Sequence, residues 1–130
     1  MALTKGYRAL LEDAYAAIET ISVADAIAAL GGPDMVLVDV RDIRERQRDG
    51  YIPGSFHAPR GMLEFWIDPE SPYYKDVFVP GKLFIFHCAR DWRGALATKA
   101  VLDMGLREVR NLDGGLESWK AAGGAIELPE

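Results

Sequence analysis

Residues 83–94 read Leu83-Phe84-Ile85-Phe86-His87-Cys88-Ala89-Arg90-Asp91-Trp92-Arg93-Gly94, a short apolar run that breaks into a charged turn. The run is too short for a globular helix and reads as a strand. Past the turn, Leu96, Ala97, Ala100, Val101 and Met104 recur at helical spacing as one apolar face, and Gly105 stops the helix. In an open α/β sheet, ligands bind beyond the carboxyl ends of the strands, where Cys88 falls. A helix beginning near Arg93 aims unpaired N–H groups and a positive end at that point, which stabilises an anion or a thiolate. The Cys88 thiol is accordingly expected to ionise below the roughly 8.5 of a free cysteine. A lone cysteine out of context reads as a small buried hydrophobe. Here Arg90 and Arg93 flank it with guanidinium forks suited to an oxyanion. Arg93 enters the helix with the turn, whereas Arg90 reads equally as a substrate guide or a solvated side chain.

Outward from this unit, Met35 to Val40 is a second β-branched run and reads as a buried central strand. Thr20 to Ser22 reads as an edge strand, and Ser22 as the N-cap of a helix carrying Val23, Ala26, Ile27 and Leu30 up to Gly31 and Gly32. Ile43 to Asp49 predicts a short helix ending at Gly50, Tyr51 to Ser55 a turn, His57 to Gly61 a loop, and Met62 to Ile67 a brief helix. Pro69 to Pro80, with three prolines, is irregular. Val109 sits in a last strand, and Gly114-Gly115 leads into a helix with Leu116 and Trp119, stopped by Gly123 and Gly124. At the start, Lys5 to Glu19 places Tyr7, Leu10, Leu11, Ala14 and Ile18 on one helical face, a helix lying on something larger. Strands alternating with helices imply a mostly parallel α/β sheet covered on both faces.

The 130 residues suffice for one domain with its own core, and 49% hydrophobic with 27% charged residues places the chain among globular proteins. A net charge of -5 argues against nucleic acid or an anionic membrane as principal partner, and leaves room for a basic protein partner. The single cysteine excludes an intrachain disulfide, a thiol pair and a multi-cysteine metal cage. His57 and His87 without a third clustered histidine give no zinc pattern, so no metal is expected. No apolar run approaches the roughly 20 residues of a membrane span, and the start lacks a signal-peptide layout, so a cytoplasmic protein is expected.

The residues Leu37-Val38-Asp39-Val40-Arg41, Gly50-Tyr51-Ile52-Pro53-Gly54-Ser55-Phe56-His57, Pro59-Arg60-Gly61, Cys88 to Arg93, and Asn111-Leu112-Asp113-Gly114-Gly115-Leu116 with Trp119 resemble, in order and spacing, the rhodanese-like domain family. The likeness is to its short single-domain bacterial sulfurtransferases and runs from Ser22 to Gly124. It implies a three-layer α/β domain over 20–130 with a central parallel five-stranded sheet, and leaves 1–19 as a helical extension packed on it. It also implies that Cys88 carries a persulfide as a covalent intermediate, with no cofactor. The thiolate would take the outer sulfur of thiosulfate or another small anionic persulfide donor and pass it to a thiol or cyanide. By the same resemblance Arg93 is catalytic, bracing the loop or meeting substrate charge, and Ala89, Arg90, Asp91, Trp92, Gly94 and Arg60 line the substrate site. Asp39 and Arg41 are read as pairing with neighbours to hold adjacent loops, and His57 as a hydrogen-bonded structural histidine. Trp92 covers the site or anchors the loop, and Trp66, Tyr73 and Tyr74 either wall a groove or fill the core edge.

The chain departs from the family pattern where glycine and serine often stand, with Asp91 and Gly94 in their places. If residue 91 requires positive φ, aspartate tolerates it. A carboxylate facing Cys88 would repel thiosulfate, and one facing solvent or capping the next helix would not. Exchanging Asp91→Gly and Gly94→Ser is expected to raise thiosulfate turnover. Two other function classes remain. Cysteine-dependent phosphatases and arsenate reductases have a similar loop, but with one more residue between cysteine and arginine than this chain provides. A non-catalytic binding domain, or a relay taking sulfur from a protein donor to a protein acceptor, also fits the altered loop. The oligomeric state is not legible.

Overall fold

Two apolar runs rich in Val, Leu, Ile and Phe can bury both faces and satisfy their backbones only in the interior of a sheet. The computed structural model, which describes residues 2–129, places them there. Strands β1 (Glu19–Ile21), β2 (Met35–Asp39), β3 (Phe56–His57), β4 (Leu83–His87) and β5 (Val109–Leu112) form one sheet in the order β1-β5-β4-β2-β3. Every pairing is parallel, and β2 runs beside β4 from Met35↔Leu83 to Asp39↔His87. The strand that ends at Cys88 is therefore the central one, and the 35–40 run lies one place off centre.

Alternation along β4 divides the core. Phe84 and Phe86 face the side covered by α4 (Leu63–Ile67) and α5 (Trp92–Asp103), where Leu63 and Val101 are buried with them. Ile85 faces the side covered by α2 (Val23–Ala29) and α6 (Gly115–Ala121), against Ala26, Leu116 and Trp119. Helix α1 (Tyr7–Ala17) packs on α5 through the buried Leu11 and Ala14. Local signals fix the helix starts. Ser22 accepts the Asp25 N–H at 3.1 Å. At α3 (Ile43–Asp49), Asp42 and Glu45 form a capping box, and Gly50 ends the helix with φ 83° where a Cβ would lie 2.6 Å from Ile126.

Three local expectations are corrected. The segment from His57 to Gly61 is not wholly loop, because Phe56 and His57 pair with Val38 and Asp39 as an edge strand and a 3₁₀ turn begins at Arg60. Two residues carry no periodicity of their own, so only the neighbouring strand makes them β. The buried face of α5 is Gly94, Ala95, Ala97, Thr98 and Val101, with Met104 exposed. Its small residues let the helix lie close to the sheet, and Thr98 returns its hydroxyl to the Gly94 carbonyl at 2.7 Å. On α1, Tyr7 and Leu10 are exposed.

Candidate active site

Cys88 follows the last residue of the central strand and is buried, with 2% of its surface exposed. Its Sγ accepts the Gly94 N–H at 3.2 Å, a bond made from the first turn of α5. The loop owes its shape to α6, which approaches from outside. The Leu116 N–H donates to the Cys88 carbonyl at 3.0 Å and the Glu117 N–H to the Ala89 carbonyl at 2.9 Å. His87 Nδ1 lies 3.0 Å from the Cys88 carbonyl, which can only accept, so this nitrogen carries the proton. With these carbonyls engaged from outside, the Gly94 N–H is the donor recorded at the sulfur among the described residues. Such close approach requires Gly115, whose φ is +60° and whose Cβ would fall 2.2 Å from the Arg90 carbonyl oxygen. A cavity of about 500 Å³ opens over the loop, lined by residues 88–93.

Asp91 adopts φ -151°, so the positive φ considered for it is not used. Its carboxylate neither faces solvent alone nor caps α5. Oδ1 accepts from Asn111 Nδ2 at 3.0 Å and from the Gly114 N–H at 3.2 Å, and Oδ2 accepts from the Tyr15 hydroxyl. Tyr15 comes from α1. Burial first, then the Asp91 carboxylate and then the field of Cys88, push its phenol well above the usual tyrosine range and keep it a donor. Trp92, half exposed, packs in a tilted ring contact at 5.3 Å on Tyr7 of the same helix, so it anchors the loop to α1 beside the cavity. The side chain of Asn111 explains Gly94. A Cβ there would meet Asn111 Oδ1 at 2.6 Å, inside any normal contact.

The arginines are engaged elsewhere. Arg93 forms a bidentate pair with Glu45 of α3 at 2.6 and 3.0 Å, and this pairing holds the Glu45 carboxyl below its ordinary range. It thus braces the loop-to-helix junction against α3. Arg90 pairs with Glu117 at 2.9 Å on the surface. Arg60 bonds Glu64 at 2.7 Å and is not among the described residues lining the cavity. Trp66 and Tyr74 pack against the core, and Tyr73 is exposed.

Beneath the site, Asp39 and Arg41 pair with each other, rather than only with neighbours, at 2.8 Å in full burial. Arg46 reaches the same carboxylate at 2.9 Å, and Arg41 also donates to the Gly50 carbonyl at 2.8 Å. Burial alone would raise the Asp39 carboxyl, but the hydrogen bonds and charge of Arg41 hold it down at about 2. His57 Nε2 donates to the Arg41 carbonyl at 2.7 Å, a structural bond. His87 Nε2 stands 3.9 Å from Asp39, and burial pushes the ring below its usual range.

Sequence reasoning missed Tyr15, Glu45 and Asn111 as site residues. Asn111 and Gly115 stood in a quoted motif, which was the available signal. Tyr15 and Glu45 lie on helix faces whose direction only packing sets.

The Rhodanese-like domain family profile matches residues 22–122, so α1 lies outside it. The thiosulfate sulfurtransferase GlpE of Pseudoalteromonas translucida is 26% identical over 106 residues, which is 82% of this chain and 92% of that protein. A Rhodopseudomonas palustris protein of unknown function, described as a possible tyrosine phosphatase, is 53% identical, with a TM-score of 0.94 over 98% of each chain. The human single-domain sulfurtransferase TSTD1 is 26% identical, with a TM-score of 0.67 over 78% of this chain and 95% of its own.

Proposed function

The chain belongs to the rhodanese-like domain family, and on that footing we propose that it is a sulfurtransferase that carries sulfane sulfur as a persulfide on Cys88. One observation carries the reading. The buried Sγ sits at the centre of a loop on the central strand's carboxyl end, with the Gly94 N–H directed at it. In the first half-reaction the Cys88 thiolate attacks the outer sulfur of the donor. With thiosulfate, a new S–S bond forms on Cys88 while the donor's S–S bond breaks, and its electron pair leaves with sulfite. In the second, an acceptor thiolate or cyanide attacks the outer persulfide sulfur, and the Cys88 thiolate departs with the electron pair of the broken bond. The donated N–H supports the anionic sulfur in each state.

A phosphatase reading fits the loop less well. Only four residues, 89–92, separate Cys88 from Arg93, one fewer than in a phosphate loop, and Arg93 is turned to Glu45. The test is intact-mass analysis of reduced protein after brief thiosulfate exposure. One sulfur should be added, be absent from Cys88→Ser, and be removed by cyanide. Hydrolysis of p-nitrophenyl phosphate without any added sulfur from either thiosulfate or a hydropersulfide would overturn the assignment.

A further inference from the structure

Among the described residues lining the cavity over Cys88, no guanidinium is free of a carboxylate. Arg93 is committed to Glu45 and Arg90 to Glu117, and the loop itself adds the Asp91 carboxylate. Two cations are thus met by three anions before Cys88 ionises. The remaining lining is Ala89 and the exposed Trp92, whose ring leans on Tyr7. Such a wall suits a donor of low charge with an organic body, and it disfavours a compact dianion.

Asp91 is not free to turn away from this wall. Its carboxylate is held between Asn111 and the Gly114 N–H on one oxygen and the Tyr15 hydroxyl on the other. Asn111 is itself fully buried, so the first oxygen has a rigid partner. Tyr15 belongs to α1, outside the segment that matches the family profile. Helix α1 therefore supplies part of the loop's charge arrangement as well as a cover for α5.

We propose that Asp91, positioned by Tyr15, determines donor specificity, turning the site from dianionic thiosulfate toward hydropersulfides that carry the sulfane sulfur on an organic thiol. The inference rests on the sulfurtransferase reading and names its donor class. The transfer is balanced. The Cys88 thiolate attacks the outer sulfur of R–S–S⁻, the donor S–S bond breaks, R–S⁻ leaves with the electron pair, and the Cys88 persulfide remains. Tyr15 touches no reacting atom. It is a positioning residue that offsets part of the Asp91 charge by hydrogen bonding.

The experiment measures single-turnover sulfur loading of Cys88 by quenched intact mass, with thiosulfate and with the hydropersulfide of 2-mercaptoethanol. Asp91→Asn preserves the shape and the contacts to Asn111 and Gly114 while removing the charge. It should shift the ratio of the two loading constants toward thiosulfate by about tenfold. Sodium chloride should speed thiosulfate loading of the wild type more than that of D91N, because the variant loses the Asp91 share of the repulsion and keeps that between the thiolate and the dianion. Tyr15→Phe should shift the ratio about threefold away from thiosulfate, and do nothing in the D91N background. A ratio equal in wild type and D91N would overturn the proposal while leaving sulfur transfer intact. Failure of both donors to load the wild type would remove the sulfurtransferase reading itself, and this inference with it.

Discussion

Gly94→Ser would install the serine that the family resemblance implies, yet the structure predicts that this protein resists it. The new Cβ would lie 2.6 Å from Asn111 Oδ1 and 3.4 Å from both the Cys88 nitrogen and the His87 Cα. The two backbone contacts are ordinary, so the conflict falls on Asn111. That side chain is fully buried and tied to Asp91 at 3.0 Å, which leaves little freedom to retreat. Overpacking of this kind costs about 1–3 kcal/mol. Loosening the part-buried Asn111–Asp91 bond adds about 1 kcal/mol. The expected loss is therefore about 2–4 kcal/mol, or roughly 6–20 °C in Tm for a domain of this size. Urea unfolding followed by tryptophan fluorescence measures it. Asn111→Ala should itself destabilise, but the double variant should cost about 1–2 kcal/mol less than the sum, since the colliding oxygen is gone. A G94S protein within about 0.5 kcal/mol of wild type, or strict additivity with N111A, would refute the steric account. The Asp91 and Gly94 exchanges are thus not independent, because Asn111 touches both positions.

Further outcomes follow from the same geometry. Gly115→Ala meets both a positive φ and a 2.2 Å contact with the Arg90 carbonyl, so it should cost on the order of 3 kcal/mol and reduce persulfide loading by deforming the loop, as paired unfolding and mass measurements would register. Glu45→Gln keeps the cap of α3 but weakens the hold on Arg93, and it should lower the KM for thiosulfate in a cyanide-coupled assay. Acid should destabilise the fold in two stages. Below about pH 6.5 the unfolded chain takes up a proton that His87, depressed by burial, refuses in the folded state, so stability falls as pH drops. His87→Asn should flatten that part of a Tm-against-pH curve. The depressed Asp39 carboxyl contributes about 2 kcal/mol that is fully present above about pH 4. This contribution disappears as pH falls through its folded value of about 2, a loss that H87N should not abolish.

Much of the layout was legible because it follows from local chemistry. The buried-strand run before Cys88, the helix after it, the Ser22 cap and the glycine stops each depend on a few adjacent residues. The edge strand at Phe56 and His57 was not legible, since its identity comes from Val38 and Asp39 across the sheet. The apolar face of α5 was misread for a related reason. That helix lies between the sheet and α1, and its buried side is made of Gly94, Ala95, Ala97 and Thr98 rather than of the largest apolar residues.

By itself the sequence determined a parallel α/β domain, a lone cysteine at a strand end, and a loop too short for a phosphate ring. These are matters of periodicity, composition and spacing, which a linear chain displays. Only the tertiary structure decided where the charges point. Arg93 turns to Glu45, 48 positions away along the chain, and Asp91 is held by Asn111, Gly114 and Tyr15, the last of them 76 positions distant. A side chain's partner at such separations is set by how helices are rotated on the sheet. That rotation is fixed by burial of the whole core, and no local stretch of sequence contains it.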